Sequence, residues 1–134
     1  MPVYVDGQLA VGLGGGTLDV QHQFRASGII SPAALGAGDT NDWAPTGLAA
    51  ASRIRMSGNA TPSVITGITG GVEGRILVLV NVGANTMTLA HGRTSIAANQ
   101  FALKSGADIS VPAGGSVVVQ YDATSSRWRA IASL

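Results

Sequence analysis

The chain has 134 residues, only 11% of them charged, and its formal net charge is +1. Typical soluble domains carry about 25% charged residues. Nucleic-acid binding needs clustered Lys and Arg to neutralise phosphates. The Lys and Arg of this chain are scattered along the sequence, so no nucleic-acid partner is predicted. The chain has no Cys, which excludes disulfides, thiolate metal sites and a Cys nucleophile. Its length fits one domain with a substantial core, and its low charge favours burial against a partner or a second copy.

Residues 1–37 are predicted to form an extended, Gly-rich arm that becomes ordered only against a neighbour. Candidate strands lie at 3–5 and 17–24, on either side of the Gly-rich stretch 12–16. A phosphate-binding glycine loop would require a following helix and a Lys, and neither follows Gly16. The apolar residues of the arm are therefore predicted to bind a partner: Val3, Tyr4, Val5, Leu9, Leu13, Leu18 and Phe24.

Neither a signal peptide nor a membrane span is predicted. The N-terminus lacks a basic region followed by an apolar core, which a secretory signal needs. No run approaches the roughly 18 consecutive apolar residues of a membrane-spanning helix. The chain is therefore expected to be synthesised in a cytoplasm and to have no membrane partner.

The body is predicted to span residues 38–134, beginning with a polar loop at 39–45 and one helical turn at 46–51. The Asx and Pro content of the loop is typical of a turn, and an exposed aromatic there would offer a platform for sugars or partners. Asp39, Asp42 and Trp43 are therefore predicted to form an exposed recognition loop. In the alternatives, the two carboxylates cap backbone amides or bind Ca²⁺, and the tryptophan fills the core.

Alternation of polar and apolar residues predicts a half-exposed strand at 52–57. Since successive side chains of a strand point to opposite faces, Ile54 and Met56 are predicted to face the core, whereas Arg53 and Arg55 face solvent.

Two hairpins are predicted in the second half of the chain. The apolar run 76–82 is predicted to be a central strand covered on both faces, which the turn 83–85 folds back onto a strand at 86–90. A second hairpin joins 116–121 to 127–132.

Further short strands are predicted at 63–68, 99–103 and 108–111, and Trp128 is assigned to the core or to a subunit interface. Strands at roughly ten-residue spacing without an amphipathic helix predict an all-β fold, either a small jelly-roll-like β-sandwich or a barrel. No exact sequence repeat is visible.

Residue patterns for catalysis or cofactor binding are sparse. His22 and His91 lack the spacing of a zinc motif, and no nucleophile elbow is present. The chain is therefore predicted to be non-enzymatic, with no catalytic residues, cofactor or metal.

An ordered series of short motifs resembles a β-rich module of tailed-bacteriophage virion proteins, found in tail fibres, head fibres and capsid decoration proteins. The resemblance covers about residues 38–132 and carries no catalytic residues. Its motifs are Ala44-Pro-Thr-Gly-Leu-Ala-Ala-Ala-Ser-Arg-Ile-Arg-Met56, Ile65-Thr-Gly-Ile-Thr-Gly-Gly71, Gly74-Arg-Ile-Leu-Val-Leu-Val-Asn-Val-Gly83, Leu89-Ala-His91, Ala98-Asn-Gln-Phe101 and Tyr121-Asp-Ala-Thr-Ser-Ser-Arg-Trp128.

The resemblance implies a virion structural protein. Only a short arm precedes the module, whereas a tail fibre would have a long shaft, so a capsid decoration or cement protein on the outer capsid surface is favoured. Its implied partners are the major capsid protein and further copies of itself, with a homotrimer favoured over a homodimer. The alternative is the tip of a head or tail fibre, which would bind a receptor or a host-surface glycan. A depolymerase ranks third, because it would need two acids facing one cleft.

Overall fold

The structure is a computed structural model that describes residues 4–5, 8–9 and 25–134. These residues form twelve strands and three short 3₁₀ turns, which confirms the predicted all-β class. The strands are β1 (Tyr4–Val5), β2 (Gln8–Leu9), β3 (Ile29–Ile30), β4 (Gly38–Thr40), β5 (Arg53–Met56), β6 (Ser63–Ile65), β7 (Ile76–Asn81), β8 (Met87–Leu89), β9 (Phe101–Ala102), β10 (Ile109–Val111), β11 (Ser116–Asp122) and β12 (Arg127–Ser133). The 3₁₀ turns are Leu48–Ala50, Ala97–Asn99 and Lys104–Gly106.

Strands β3 to β12 build two sheets, while β1 and β2 form a separate antiparallel pair. The larger sheet has the order β3-β5-β7-β11-β12-β9, and the smaller has the order β10-β8-β6-β4. From β3 to β8 the chain alternates between the sheets, so β3, β5 and β7 lie parallel in one and β4, β6 and β8 lie parallel in the other.

The parallel stacking gives the fold a structural repeat. Ile29 pairs with Arg53, and Arg53 pairs with Val78, so the chain returns beside itself after 24 and then 25 residues. Each return is one coil that passes through both sheets. The architecture is therefore β-solenoid-like, with the antiparallel strands β10, β11 and β12 completing it.

The prediction of a sandwich or barrel is wrong for this reason. A jelly roll needs mainly antiparallel neighbours, whereas the first six strands of the two sheets stack in parallel. Strand length and period-two alternation are the same in both architectures, so these patterns do not distinguish them. Strand β3 also lies inside the predicted arm 1–37 and pairs with β5 in the larger sheet.

The core lies between the two sheets. Ile54 and Met56 are fully or almost fully buried, whereas Arg53 and Arg55 are exposed, as predicted. Trp128 is completely buried, in agreement with its predicted place in the core, and its Nε1 donates a hydrogen bond of 2.7 Å to the Ile68 carbonyl. The Tyr121 ring packs edge-on against it, with centroids 5.2 Å apart, an arrangement that adds about 0.5–1.5 kcal/mol to the burial of an aromatic pair.

The predicted hairpin from 76–82 to 86–90 is wrong, because its two strands belong to different sheets. Both edges of β7 are occupied, by β5 and β11, and β8 pairs with β6 and β10. The buried Asn81 holds the corner between them: its Nδ2 donates to the Asn85 carbonyl at 2.8 Å, and its Oδ1 accepts from the Gly83 N–H at 3.0 Å. The turn therefore carries the chain from one sheet into the other.

The second predicted hairpin is confirmed, since β11 and β12 pair antiparallel with a bulge between Val118 and Val119. Strand β7 is central, as predicted, but the prediction that both of its faces are covered is wrong. Leu77 and Leu79 are buried, whereas Ile76 on the opposite face is 48% exposed.

Candidate functional site

The predicted recognition loop connects neighbouring segments of the chain. The carboxylate of Asp42 accepts hydrogen bonds from the Ile96 N–H and from Asn99 Nδ2, both at 2.8 Å. Asp39 is exposed and lies 3.0 Å from Arg93. Asp42 thus caps a backbone amide, as in the alternative, whereas Asp39 contacts the side chains of Arg93 and Thr94.

Trp43 is 7% exposed and belongs to the core, so the expectation of an exposed Trp43 platform is wrong. The main chain explains its position: Trp43 forms a parallel bridge with Ile68, and its N–H donates to the Gly67 carbonyl at 2.8 Å. This bridge continues the stacking of the coils beyond β4 and β6, which turns the tryptophan inward.

Two open grooves flank the segment that follows Trp43. One has a volume of about 670 Å³ and runs between residues 30–35 and 43–46. The other, of about 490 Å³, lies between residues 44–49 and the segment that contains Val72 and Arg75. Neither groove contains a carboxylate, so neither presents the paired acids that glycoside hydrolysis uses.

The most prominent apolar surface is the side of the larger sheet that points away from the core, which we call the outer face. Seven large apolar side chains are exposed among the described residues, and four of them, Ile29, Ile76, Val82 and Ile131, lie on or beside this face. Exposures of 59%, 48%, 46% and 55%, in that order, leave much of their apolar area in contact with solvent.

Half-buried valines connect these residues across the sheet. Val78 lies beside Val118 in the register of β7 and β11, and Val118 lies beside Ala132 of β12. Val80 continues the row along β7. Exposed apolar residues are ordinary when they are scattered, whereas a contiguous apolar area marks an interaction surface.

Arginines border the apolar centre of the outer face on two sides. Arg53 and Arg55 point outward from β5, and Arg127 and Arg129 lie on β12. Strands β7 and β11 separate the two pairs, which corresponds to roughly 14 Å at the usual strand spacing.

Among the described carboxylates, Asp122 lies on the outer face itself, and Glu73 accepts a hydrogen bond of 2.6 Å from the Ala123 N–H, next to the end of β11. Asp122 lies 2.7 Å from Arg129 Nε, and the hydrogen bonds from Arg129 and Ser125 lower its pKa to about 2. Arg127 donates to the carbonyl of Ser126 at 2.9 Å. In the part of the chain that the structure describes, the ion pairs include neither Arg53 nor Arg55, so the face is positively charged.

The predicted partner-binding residues of the arm fall mainly outside the described residues. Val3, Leu13, Leu18 and Phe24 lie outside them, as does the candidate strand at 17–24. Tyr4, Val5 and Leu9 belong to the backbone of the β1–β2 pair.

Comparison with protein-family models, curated proteins and solved structures gives no match. Within residues 4–5, 8–9 and 25–134, no helix is long and apolar enough to cross a membrane. Among the same residues, no three His, Asp or Glu side chains are grouped so that they could hold a metal ion.

Proposed function

We propose that this chain is a non-enzymatic structural protein of a tailed-bacteriophage virion, and that it decorates and stabilises the assembled capsid as a cement protein. The observation that supports the proposal most directly is the apolar centre of the outer face, with Ile76 and Ile131 about half exposed. Covering such an area with a partner removes apolar surface from water, which favours association.

In this proposal the chain is synthesised in the host cytoplasm and then binds the major capsid protein on the outside of the shell. A protein that binds the assembled shell but not its separated subunits stabilises the shell by mass action. Many copies that each bind with modest affinity are then sufficient to stabilise the particle. Within this proposal the chain also associates with itself, as a homotrimer in preference to a homodimer, since closed symmetry allows it to match the symmetry of a capsid lattice.

The test uses purified particles assembled without this chain. Adding the protein is expected to give stoichiometric occupancy and to raise the temperature at which the particles disassemble. The variant Ile76→Thr/Ile131→Thr should reduce occupancy. Its matched control, Val72→Thr/Ile96→Thr, changes residues that are 63% and 65% exposed but lie outside the strands of the larger sheet, and should bind normally. Absence of stoichiometric binding by the unmodified protein would contradict the proposal.

The alternative function, a glycan-binding or receptor-binding tip of a fibre, has less support. Its aromatic platform was Trp43, and that ring lies in the core. The depolymerase alternative needs two acids that face one cleft, whereas Asp39 pairs with Arg93 and Asp42 bonds the 96–99 segment.

A further inference from the structure

Charge is unevenly distributed over the molecule. The outer face carries four arginines and one aspartate, Asp122, on the strands β5, β11 and β12, and Glu73 lies at its edge, bonded to the Ala123 N–H. Two of the other carboxylates, Asp39 and Asp108, lie on or next to strands of the smaller sheet, where both contact Arg93. Within the part of the chain that the structure describes, the outer face therefore carries more positive than negative groups.

A second copy of the chain is a poor occupant for this surface. Placing two outer faces together about a two-fold axis would bring arginine-bordered areas against each other. Like charges placed opposite one another across an interface cost several kcal/mol. Asp122 offers little compensation, because Arg129 of its own chain already contacts it.

Nucleic acid also fits the surface poorly. Phosphate binding uses Lys and Arg along the path of the backbone, often with exposed aromatic rings for the bases. The centre of the outer face carries instead aliphatic side chains such as Val78, Val80 and Val118, with Ser116 and Gln120 of β11 beside them. An apolar centre with a charged border is the usual arrangement of a protein–protein interface.

We propose that the outer face docks onto an acidic protein surface that has an apolar centre of its own. Arg53 and Arg55 would meet carboxylates of the partner, and the apolar side chains of the face, among them Ile76, Val78, Val118 and Ile131, would meet its apolar residues. The identification of this partner as a capsid shell rests on the proposed function, whereas the chemistry of the face does not. Bordering charges set the association rate and its dependence on salt, so binding weakens as the salt concentration rises.

The experiment measures retention of the full chain on mixed monolayers that carry carboxyl and methyl groups, by surface plasmon resonance. Monolayers with hydroxyl groups alone serve as the reference surface. Retention should be selective for the mixed monolayer, and Arg53→Glu/Arg55→Glu should reduce it about tenfold or more because attraction becomes repulsion. The milder variant Arg53→Gln/Arg55→Gln should reduce it less, and its cooperative unfolding would show that the loss is not misfolding.

The matched control is Arg93→Glu/Lys104→Glu, which changes the net charge equally at exposed positions outside the larger sheet: Arg93 contacts Asp39 and Asp108, and Lys104 lies in the 3₁₀ turn Lys104–Gly106. It should retain most of its binding. An equal loss in this control would overturn the proposal, because net charge alone would then explain retention. If the chain binds a DNA duplex through these arginines, and the variant Ile76→Thr/Ile131→Thr binds it equally well, the proposal is overturned in favour of nucleic acid. A dimer in sedimentation velocity that Arg53→Glu/Arg55→Glu dissociates would overturn it in favour of a second copy.

Two outcomes separate this inference from the proposed function. If the mixed monolayer retains the chain as expected while bare particles do not bind it, the chemistry of the face stands and the cement function fails. If particles bind Arg53→Glu/Arg55→Glu as well as the unmodified chain, the inference fails and the cement function stands.

Discussion

Buried polar side chains hold the corners where the chain passes from one sheet to the other. Asn81 bonds the corner after β7 and also donates to the Val111 carbonyl at 2.8 Å. Ser63 is completely buried, and its single hydroxyl proton is shared between the carbonyl oxygens of Gly36 and Ala60, which lie 2.9 and 2.8 Å from its Oγ. Burying such polar groups without hydrogen-bond partners costs free energy, whereas groups with all their partners favour one particular structure. These side chains therefore determine where each coil turns.

Asn81→Ala should lower the free energy of unfolding by about 2–4 kcal/mol, since each buried polar group left without a partner costs about 1–3 kcal/mol. Urea denaturation measures the change. The matched variant Asn59→Ala alters an exposed asparagine and should change stability by less than about 0.5 kcal/mol. Equal stabilities of the two variants would show that Asn81 does not hold the corner.

The Asp122 carboxyl should titrate with a pKa of about 2, well below its ordinary value of 3.8. Because the pKa is lowered in the folded state, the stabilising contribution is present above about pH 4 and is lost as the pH falls through the folded pKa. Carbon NMR of the carboxyl group measures it directly. Arg129→Gln should raise the Asp122 pKa towards 3.8, whereas Arg93→Gln should leave it unchanged; no response to Arg129→Gln would refute the assigned cause.

At the level of strands, period-two alternation predicts side-chain faces better than it predicts partners. The pattern correctly places Ile54 and Met56 in the core and identifies the β11–β12 hairpin. The same pattern wrongly pairs β7 with the strand that follows it, because strand pairing depends on where the chain returns after 24 or 25 residues. One trace of this repeat is visible in the sequence: Gly58-Asn-Ala-Thr61 lies 25 residues before Gly83-Ala-Asn-Thr86.

The close approach of neighbouring coils explains why position 67 is a glycine. A Cβ added at Gly67 would lie 2.5 Å from the Asn99 carbonyl oxygen and 2.7 Å from the Ser95 Cβ. Gly67→Ala should therefore reduce stability by about 1–3 kcal/mol through overpacking, as measured by thermal and urea unfolding.

The control for this prediction is Gly36→Ala, because a Cβ at Gly36 meets nothing within 4 Å. Its stability should stay within about 0.5 kcal/mol of that of the unmodified chain. If Gly67→Ala is as stable as Gly36→Ala, the coils are not packed as closely as described.

At the scale of the whole molecule, the fold gathers features that are distant in the sequence onto one surface. Alternation already predicts that Arg53 and Arg55 point outward, and the same pattern applies to Arg127 and Arg129. Their common location depends on the strand order β5-β7-β11-β12, which no local pattern contains. The outer face was therefore missed as a candidate site, although β5, β7, β11 and β12 were each predicted; β3, which carries Ile29, was not.

The central claim is that this chain binds a capsid shell through its outer face, and an image of the particle with the protein bound tests it most directly. Electron cryo-microscopy should show the larger sheet lying against the shell, with Ile76 and Ile131 covered and Arg53 and Arg55 next to carboxylates of the major capsid protein. A particle that lacks the chain, or one in which the outer face points to solvent, would contradict the claim.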